Sequence, residues 1–471
     1  MFHLLSKLVL KKYNPAIIGI IGKVERESTS QATFTVLASK FSVRQNIGTI
    51  KQRNEIPLTI LGLKESHSIL GSLSNLFRAF SLIFLEKDYP EILIFKIPVE
   101  RSKDIKFLTG ILSPYLKAIV VSSEAILSES LENFQLLVKS LTRTSLEQYP
   151  TKKEERTKGR RLSKNCQIIL NYDNTIARKA IKNNRKTFGL SEASDIRAAD
   201  ILFQIPKTAE FSEEVHPVRN SAKTSDPAAR VINVRTQSLQ AEEYFSNNGV
   251  KWEESDKIFI SFKVIYQGKI VPIRLFGTLG VRQVYAALGA VGAGIAFGMN
   301  LLEISESLKK YRTPAGMMKI IKGIKYTLII DNTYNADLAS TSDALDVLSV
   351  TKGIRKVVVL GDMMLPLGAF QEKEHRKIGA RVAKIADLLF TVGSRAKFIA
   401  DGAFKAGMDK ANIFEFFNQE KAGRTLQNKI KQGDIVLISG SEVMHLEQIV
   451  REIMAEPRRA KKLLARHNEN D

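Results

Sequence analysis

Residues 16–22 read AIIGIIG, an uninterrupted apolar run that ends in glycine, and they set the pattern for the rest of the chain. Seven further apolar runs are separated by segments with helical periodicity, at residues 91–95, 117–121, 167–171, 326–331, 356–361, 388–393 and 434–440. Short apolar runs that alternate with helices are typical of a parallel sheet covered by helices. The sequence therefore predicts an α/β fold, with ligands at the carboxyl ends of the strands.

The runs fall into two series, which predicts two domains. The break at residues 311–316 (YRTPAG) separates them, so we place one domain at residues 1–312 and a second at 313–471. Residues 205–241 resemble a polar insertion because they combine His216-Pro217 and Asp226-Pro227 with scattered Ser and Asn. Residues 257–276 alternate apolar and polar residues around a Gly, which predicts a β-hairpin.

The composition is that of a globular protein with an unusual charge. The chain has 471 residues, of which 44% are hydrophobic and 25% charged, so a disordered chain and a disulfide scaffold are excluded. Lys and Arg number 71 against 49 Asp and Glu, a net charge of +22 that favours anionic partners. The basic clusters at 151–161 and 457–466 contain no aromatic residue, which disfavours nucleic acid as the partner, and the second resembles a terminal helix with a solvated face.

Two segments bear on localisation. Lysines interrupt the apolar N-terminal stretch, so we expect mature protein and no signal peptide. Residues 284–302 carry no charge, but their Gly and Ala content favours a closely packed helix of a soluble protein over a membrane span. The single cysteine, Cys166, fits a reducing cytosol, and we expect a cytoplasmic protein.

An ordered set of motifs in the second half carries a resemblance. Residues 329–336 (IIDNTYNA) are followed by 359–363 (VLGDM) and His375, with 283–288 (QVYAAL) before them and 433–441 behind. This order resembles the C-terminal domain of the Mur ligase family. The resemblance extends more weakly upstream, to residues 171–174 (NYDN) and 57–60 (PLTI).

The resemblance implies a P-loop-type central domain with a parallel sheet, followed by a Rossmann-like domain. It implies ATP-dependent amide formation through an acyl phosphate, with ATP and Mg²⁺ as cofactors and with D-alanyl-D-alanine and a UDP-linked muramoyl tripeptide as substrates. The family's small uridine-binding domain has no counterpart before residue 16. A separate uridine-binding partner is therefore one expectation.

The resemblance also implies roles for individual residues. Catalytic roles would fall to Lys139, near the family's carbamylated lysine, and to His375. Asp362, Gly440 and Ser441 would bind substrate, and Ser28 and Thr29 would hold the metal. Nucleotide binding would involve the phosphate-loop segment and three later motifs, namely Gly19, Gly22, Lys23, Arg26, Ser28, Asn171, Asp173, Asp331, Tyr334 and Asn335.

Several positions depart from the family pattern. In the phosphate loop, an alignment without gaps places Glu25 at a family glycine, Arg26 at the lysine and Glu27 at the metal-binding threonine. A slipped register would instead use Gly22 and Lys23, with Ser28 or Thr29 for the metal. After the next strand, Lys96 replaces a metal-binding glutamate. Three hypotheses therefore stay open: an active ligase, a catalytically degraded homologue that acts as a binding or scaffold protein, and a basic nucleic-acid-binding protein. Asp331 and Asp362 could equally cap helices, and Asn171 and Asp173 could form a turn.

Overall fold

The computed structural model describes residues 2–22, 25–46, 55–63, 69–85, 88–97, 110–122, 166–181, 185–204, 258–334, 336–351, 355–363 and 369–466. The chain forms two compact units. The first comprises Met1–Ala199, Lys263–Ile273 and Val284–Tyr311, and the second comprises Asp200–Phe262, Arg274–Gln283 and Arg312–Asp471. The polar insertion predicted at residues 205–241 and the basic cluster at 151–161 lie outside the described residues.

The first sheet has nine strands in the order β2-β3-β1-β4-β5-β6-β7-β8-β9, and the pairs from β2 to β7 are parallel. Its strands are β1 (Ala16–Ile21), β2 (Val43–Gln45), β3 (Ile92–Ile97), β4 (Leu116–Val121), β5 (Gln167–Asn171), β6 (Arg185–Gly189), β7 (Ile196–Gln204), β8 (Phe259–Tyr266) and β9 (Lys269–Phe276). Ile17, Ile18, Ile20 and Ile21 of β1 are fully buried because β1 lies between β3 and β4. The four apolar runs predicted as strands in this half are all strands.

Among the described residues of this part of the chain, the helices are α1 (Phe2–Tyr13), α2 (Arg26–Leu37), α3 (Glu55–Leu61), α4 (Ile69–Phe84), α5 (Thr175–Ala180), α6 (Val281–Ala296) and α7 (Leu301–Leu308). The uncharged stretch 284–302 is thus divided between α6 and α7. A Cβ atom on Gly292 of α6 would come within 2.5 Å of Ile169 in β5, so the helix backbone approaches the sheet closely. Among the described residues, no helix is long and apolar enough to span a membrane.

The second sheet has six strands in the order β10-β11-β15-β12-β13-β14, with β10 antiparallel to β11 and the other pairs parallel. They are β10 (Lys319–Lys322), β11 (Leu328–Asn332), β12 (Lys356–Gly361), β13 (Leu388–Val392), β14 (Ile413–Phe416) and β15 (Ile435–Ser439). The helices are α8 (Leu338–Val350), α9 (Ala369–Val382), α10 (Lys397–Lys405), α11 (Gln419–Lys429), α12 (Glu447–Ile453) and α13 (Ala460–Leu463).

The predicted hairpin is present as β8 and β9. Gln267 and Gly268 connect the two strands and both have positive φ, 49° and 73°. Two consecutive residues of positive φ form the kind of tight turn that matches the twist of a hairpin. The structure therefore agrees with the expected mixture of parallel sheets and covering helices, and the predicted α/β class is confirmed.

Candidate functional site

The carboxyl ends of β1, β4 and β5 meet at one edge of the first sheet. Ser122, directly after β4, donates from its backbone N–H and its hydroxyl to the Ile21 carbonyl, at 3.0 and 3.2 Å. Asn171 at the end of β5 donates from Nδ2 to the Ser122 carbonyl at 2.9 Å. These bonds fix the positions at which a ligand would meet the strand ends.

Asp173 organises the turn after β5. Its Oδ2 accepts hydrogen bonds from the Leu190 amide at 2.6 Å and from the Tyr285 hydroxyl at 2.9 Å, and its Oδ1 accepts from the Ser191 amide at 3.3 Å. Asn171 Oδ1 accepts from the Asp173 amide. The structure thus brings Asp173 and Tyr285 together, two residues from separate motifs of the resemblance. As placed, Asp173 holds protein groups in position.

The phosphate-loop segment contributes Gly19 from inside β1, where a Cβ atom would meet Ile97 at 2.7 Å. Gly22 follows the strand and is buried. Arg26 begins α2, is 9% exposed, and donates from Nη1 to the Ile97 carbonyl at 3.5 Å. Its guanidinium therefore lies against the end of β3.

The two hydroxyls proposed to hold a metal are directed into the protein. Ser28 hydrogen-bonds to Tyr311, a fully buried residue whose pKa is raised by burial. Thr29 is fully buried, and its Cγ2 lies 3.1 Å from the place of a Cβ atom on Gly289 of α6. Thr29 Oγ1 has no hydrogen-bond partner among the described residues.

Glu27 and Lys96 form a close ion pair at this edge. Lys96 Nζ lies 2.9 Å from Oε1 and 2.8 Å from Oε2 of Glu27. The Lys96 side chain is 2% exposed and that of Glu27 is 27% exposed. A glutamate on the first turn of a helix also complements the positive end of the helix dipole.

These residues do not fit a divalent cation. Mg²⁺ prefers carboxylate and other oxygen ligands, whereas the strand position beside the loop carries an ammonium group. Among the described residues, no group of three or more His, Cys, Asp or Glu side chains could hold a metal ion. The carboxylate of Glu27 is already engaged with Lys96.

In the second unit, Asp331 is the fourth of the five residues of β11 and its carboxyl is fully buried. Its Oδ1 accepts from the Thr333 amide at 3.1 Å and from the Thr333 hydroxyl at 2.7 Å. Burial raises the pKa of Asp331 to about 6, with nearby Glu447 adding to the shift and the Thr333 hydrogen bonds opposing it.

Arg466 holds the turn that follows β11, a role that the sequence did not indicate. Its guanidinium donates to the Thr333 and Tyr334 carbonyls at 2.7 and 3.1 Å and to both carboxylate oxygens of Glu447 at 3.1 and 3.0 Å. The basic segment 457–466 was predicted to be a helix with a solvated face. The structure has a short helix there, α13, with Lys461 and Lys462 exposed and Ala460 buried, while Arg466 beyond it packs on the turn after β11 with its side chain 22% exposed.

Asp362 and Ser441 meet where β12 and β15 end. Asp362 Oδ1 accepts from the Arg395 and Ala396 amides at 3.0 and 2.7 Å, and the Ser441 amide donates to the Asp362 carbonyl at 3.2 Å. The Gly440 carbonyl accepts from the Ala336 amide at 3.0 Å. The three proposed substrate-binding residues are therefore adjacent.

His375 is fully buried, whereas its charged sequence neighbours indicated a surface position. Its Nδ1 lies 2.8 Å from the Gln371 carbonyl, and its Nε2 accepts from the Met363 amide at 3.3 Å. Burial lowers the pKa of His375. A neutral imidazole that donates from Nδ1 and accepts at Nε2 satisfies both contacts, so both ring nitrogens are used to join α9 to the turn after β12.

Three predicted site residues, Lys23, Lys139 and Asn335, lie outside the described residues. The structure brings the others together in two groups, one at the carboxyl edge of each sheet. Their catalytic and binding roles stay predictions.

Comparison with known proteins agrees with the resemblance. Residues 318–442 match the family described as Mur ligase, glutamate ligase domain. A 182-residue stretch is 31% identical to the UDP-N-acetylmuramoyl-tripeptide--D-alanyl-D-alanine ligase of Bacillus subtilis, covering 38% of this chain and 39% of that protein. A 208-residue stretch is 26% identical to the ligase of the same name from Treponema pallidum, covering 43% and 42%. The chain thus spans about two fifths of the length of these curated relatives.

Solved structures share the fold over most of the chain. A MurF ligase from Thermotoga maritima in complex with ADP matches with a TM-score of 0.63 at 17% identity, covering 98% of this chain and 84% of that one. A MurF from Acinetobacter baumannii matches with a TM-score of 0.62 at 18% identity, covering 95% and 79%. At such identities the likeness shows the fold, and the predicted Mur ligase resemblance is confirmed.

Proposed function

We propose that this protein, whose residues 318–442 form a Mur ligase C-terminal domain, acts in peptidoglycan-precursor synthesis on D-alanyl-D-alanine and a UDP-linked muramoyl tripeptide. The observation that carries the proposal is the group at the edge of the second sheet. There Asp331, Asp362 and Ser441 stand at the ends of three strands, in a domain that matches the family. We place this activity on a UDP-linked precursor in the cytoplasm. Cys166, which is buried and forms no disulfide, is consistent with that reducing compartment.

The first form of the proposal is a ligase. ATP would phosphorylate the tripeptide carboxylate, and the amine of D-alanyl-D-alanine would then attack the acyl phosphate, releasing phosphate and forming the amide. The relatives bear the names of such ligases, and one structural neighbour is a complex with ADP. In this form ATP binds at the edge of the first sheet.

The second form is a protein that binds the precursor without turning over ATP. One observation favours it: Glu27 and Lys96 pair with each other where a phosphate loop would place Mg²⁺ ligands. At the edge of the second sheet, Asp331 and Asp362 accept hydrogen bonds from backbone amides, and the Ser441 amide donates to the Asp362 carbonyl. In this form the protein keeps the ability to bind the precursor and has lost the ability to turn over ATP.

One pair of measurements separates the two forms. The purified protein is mixed with ATP, Mg²⁺, UDP-linked tripeptide and D-alanyl-D-alanine, and phosphate and the new amide product are followed. Binding of the tripeptide and the dipeptide is measured separately by calorimetry without nucleotide. Phosphate release with product supports the ligase, and binding without turnover supports the second form. Absence of both binding and turnover would reject the proposal.

A separate uridine-binding partner stays a prediction, which the comparisons do not support. Nucleic-acid binding is the remaining alternative, and no contact in the described structure favours it. Steeply salt-dependent binding to DNA of arbitrary sequence would promote that alternative.

A further inference from the structure

The positions of Glu27 and Lys96 follow from the topology of the first sheet. Glu27 is the second residue of α2, the helix that follows β1 and its loop, and Lys96 is the fifth of six residues in the adjacent strand β3. In the parallel register Lys96 is the partner of Ile20 in β1. In phosphate-loop proteins a hydroxyl on the first turn of this helix and an acidic side chain on a strand end hold the magnesium ion.

Compared with the Mur ligase pattern, the helix position carries an added negative charge, and the strand position carries a positive charge in place of a negative one. An acid stands on the helix and an ammonium group stands on the strand, and the two groups are in contact. We propose that the Lys96 ammonium is a built-in replacement for the divalent cation, so that the edge of the first sheet is closed to Mg²⁺-ATP. This inference deepens the second form of the proposed function but does not depend on which precursor the protein binds.

The burial of Lys96 makes the pair hard to open. An ammonium group that is almost fully removed from water requires a counter-charge, and both oxygens of Glu27 supply it. The Lys96 amide is also bound, by Asn46 Oδ1 at 2.9 Å, so the strand is fixed at this residue. A metal ion that took Glu27 as a ligand would leave Lys96 buried without its partner and would be repelled by it.

The start of α2 opposes a phosphate group as well. A helix N-terminus attracts anions, and here the chain supplies two of its own. Glu25 precedes the helix and is 7% exposed, and Glu27 lies in the first turn. Two acidic residues therefore stand at this terminus, and the hydroxyl of Ser28 is directed to Tyr311.

The experiment is a double-mutant cycle read by thermal unfolding. Lys96→Met and Glu27→Gln each remove one charge with little change in volume, and the double variant removes both. We expect each single variant to lower Tm, Lys96→Met by a few degrees and Glu27→Gln by on the order of 10 °C, because the latter leaves the buried ammonium unpaired. The double variant should recover at least half of the Glu27→Gln loss.

Metal dependence is measured on the same proteins. Mg²⁺ with or without ATP should leave the Tm of the wild-type protein unchanged, and calorimetry should show no difference in ATP binding between Mg²⁺ and EDTA. The matched control is Lys309→Met, which breaks the exposed Lys309–Glu306 pair and should change Tm by no more than about 2 °C.

Two results would overturn the inference. One is a rise in Tm or in ATP affinity of the wild-type protein that requires Mg²⁺. The other is a double variant whose Tm loss equals the sum of the single losses, since the two charges would then not act as a pair. If a single variant fails to fold, its soluble yield is compared with that of the double variant, which we expect to be higher. None of these readouts uses the muramoyl precursor or D-alanyl-D-alanine, so their failure is separate from that of the proposed function.

Discussion

Asp331 shows how burial sets the chemistry of a single residue. Its pKa is raised to about 6 from an ordinary value of 3.8, mainly by loss of solvent. The folded protein therefore holds this proton more tightly than the unfolded chain does. The stabilisation is complete below about pH 4 and is lost as the pH rises through 6.

The variant Asp331→Asn tests this shift. Asn keeps an oxygen for Thr333 but carries no charge, so its stability relative to the wild-type protein should rise between pH 4 and pH 7. A shift of about two pKa units corresponds to about 3 kcal/mol. Urea unfolding at four pH values measures the difference. A difference that stays constant with pH would contradict the assignment.

His375 illustrates a pKa shift in the opposite direction, and therefore the opposite dependence of stability on pH. Its lowered pKa means that the folded state favours the neutral ring, so its contribution to stability is present above about pH 6.5 and is lost as the pH falls. Both nitrogens contact backbone groups of Gln371 and Met363. The residue therefore ties the turn after β12 to α9, a positioning role that a motif cannot distinguish from catalysis.

At the scale of elements, the turn after β13 depends on a glycine. Gly393 has φ of 116°, and a Cβ atom there would lie 2.5 Å from Asp362 Oδ1. The variant Gly393→Ala should therefore lose about 3 kcal/mol, combining backbone strain with displacement of Asp362. Gly407→Ala is the matched control, because Gly407 has φ of 98° but no atom within 4 Å of the added methyl group. We expect a loss of about 1 kcal/mol there, and equal losses would exclude the contact with Asp362.

Arg466 in the C-terminal segment binds the turn that follows β11. The variant Arg466→Ala would leave the nearly buried Glu447 carboxylate and two backbone carbonyls without this partner. We expect a loss of about 3 kcal/mol in the free energy of unfolding, measured with urea. Lys462→Ala on the exposed face of α13 should change it by less than about 0.5 kcal/mol. A comparable loss in the two variants would show that Arg466 contributes only general surface charge.

At the scale of the whole molecule, the chain divides into two compact units, each with a hydrophobic core of its own. We therefore expect two transitions in calorimetry, one for each unit. Lys96→Met should shift one transition and Arg466→Ala the other. A single transition that both variants shift equally would show that the chain unfolds as one cooperative unit.

The net charge of +22 also has meaning only at this scale. Some of the basic residues are paired inside the fold, Lys96 with Glu27, Arg355 with Asp434 and Arg466 with Glu447, and each such pair adds nothing to the net charge. Charges that are used inside the fold contribute less to the recognition of a polyanion than their number suggests.

The sequence by itself determined the elements. Apolar runs such as 167–171 and 356–361 coincide with β5 and β12, because a strand buried on both faces must be apolar along its length. It also predicted the resemblance of the second half of the chain to the Mur ligase family, because that resemblance depends on an ordered set of motifs. Short strands with mixed composition, such as β2 and β10, carry too little pattern to be found in this way.

Only the tertiary structure decided what the charged and polar residues do. Glu27 and Lys96 lie 69 residues apart, and in the sequence they read as two separate substitutions at expected Mg²⁺-binding positions. The parallel pairing of β1 and β3 brings them together as one ion pair. His375 reads as a surface residue until α9 packs it out of solvent, and Arg466 reads as part of a solvated helix until it meets Glu447. Periodicity is a local property of the chain, but the partner of a charge is set by contacts between distant segments.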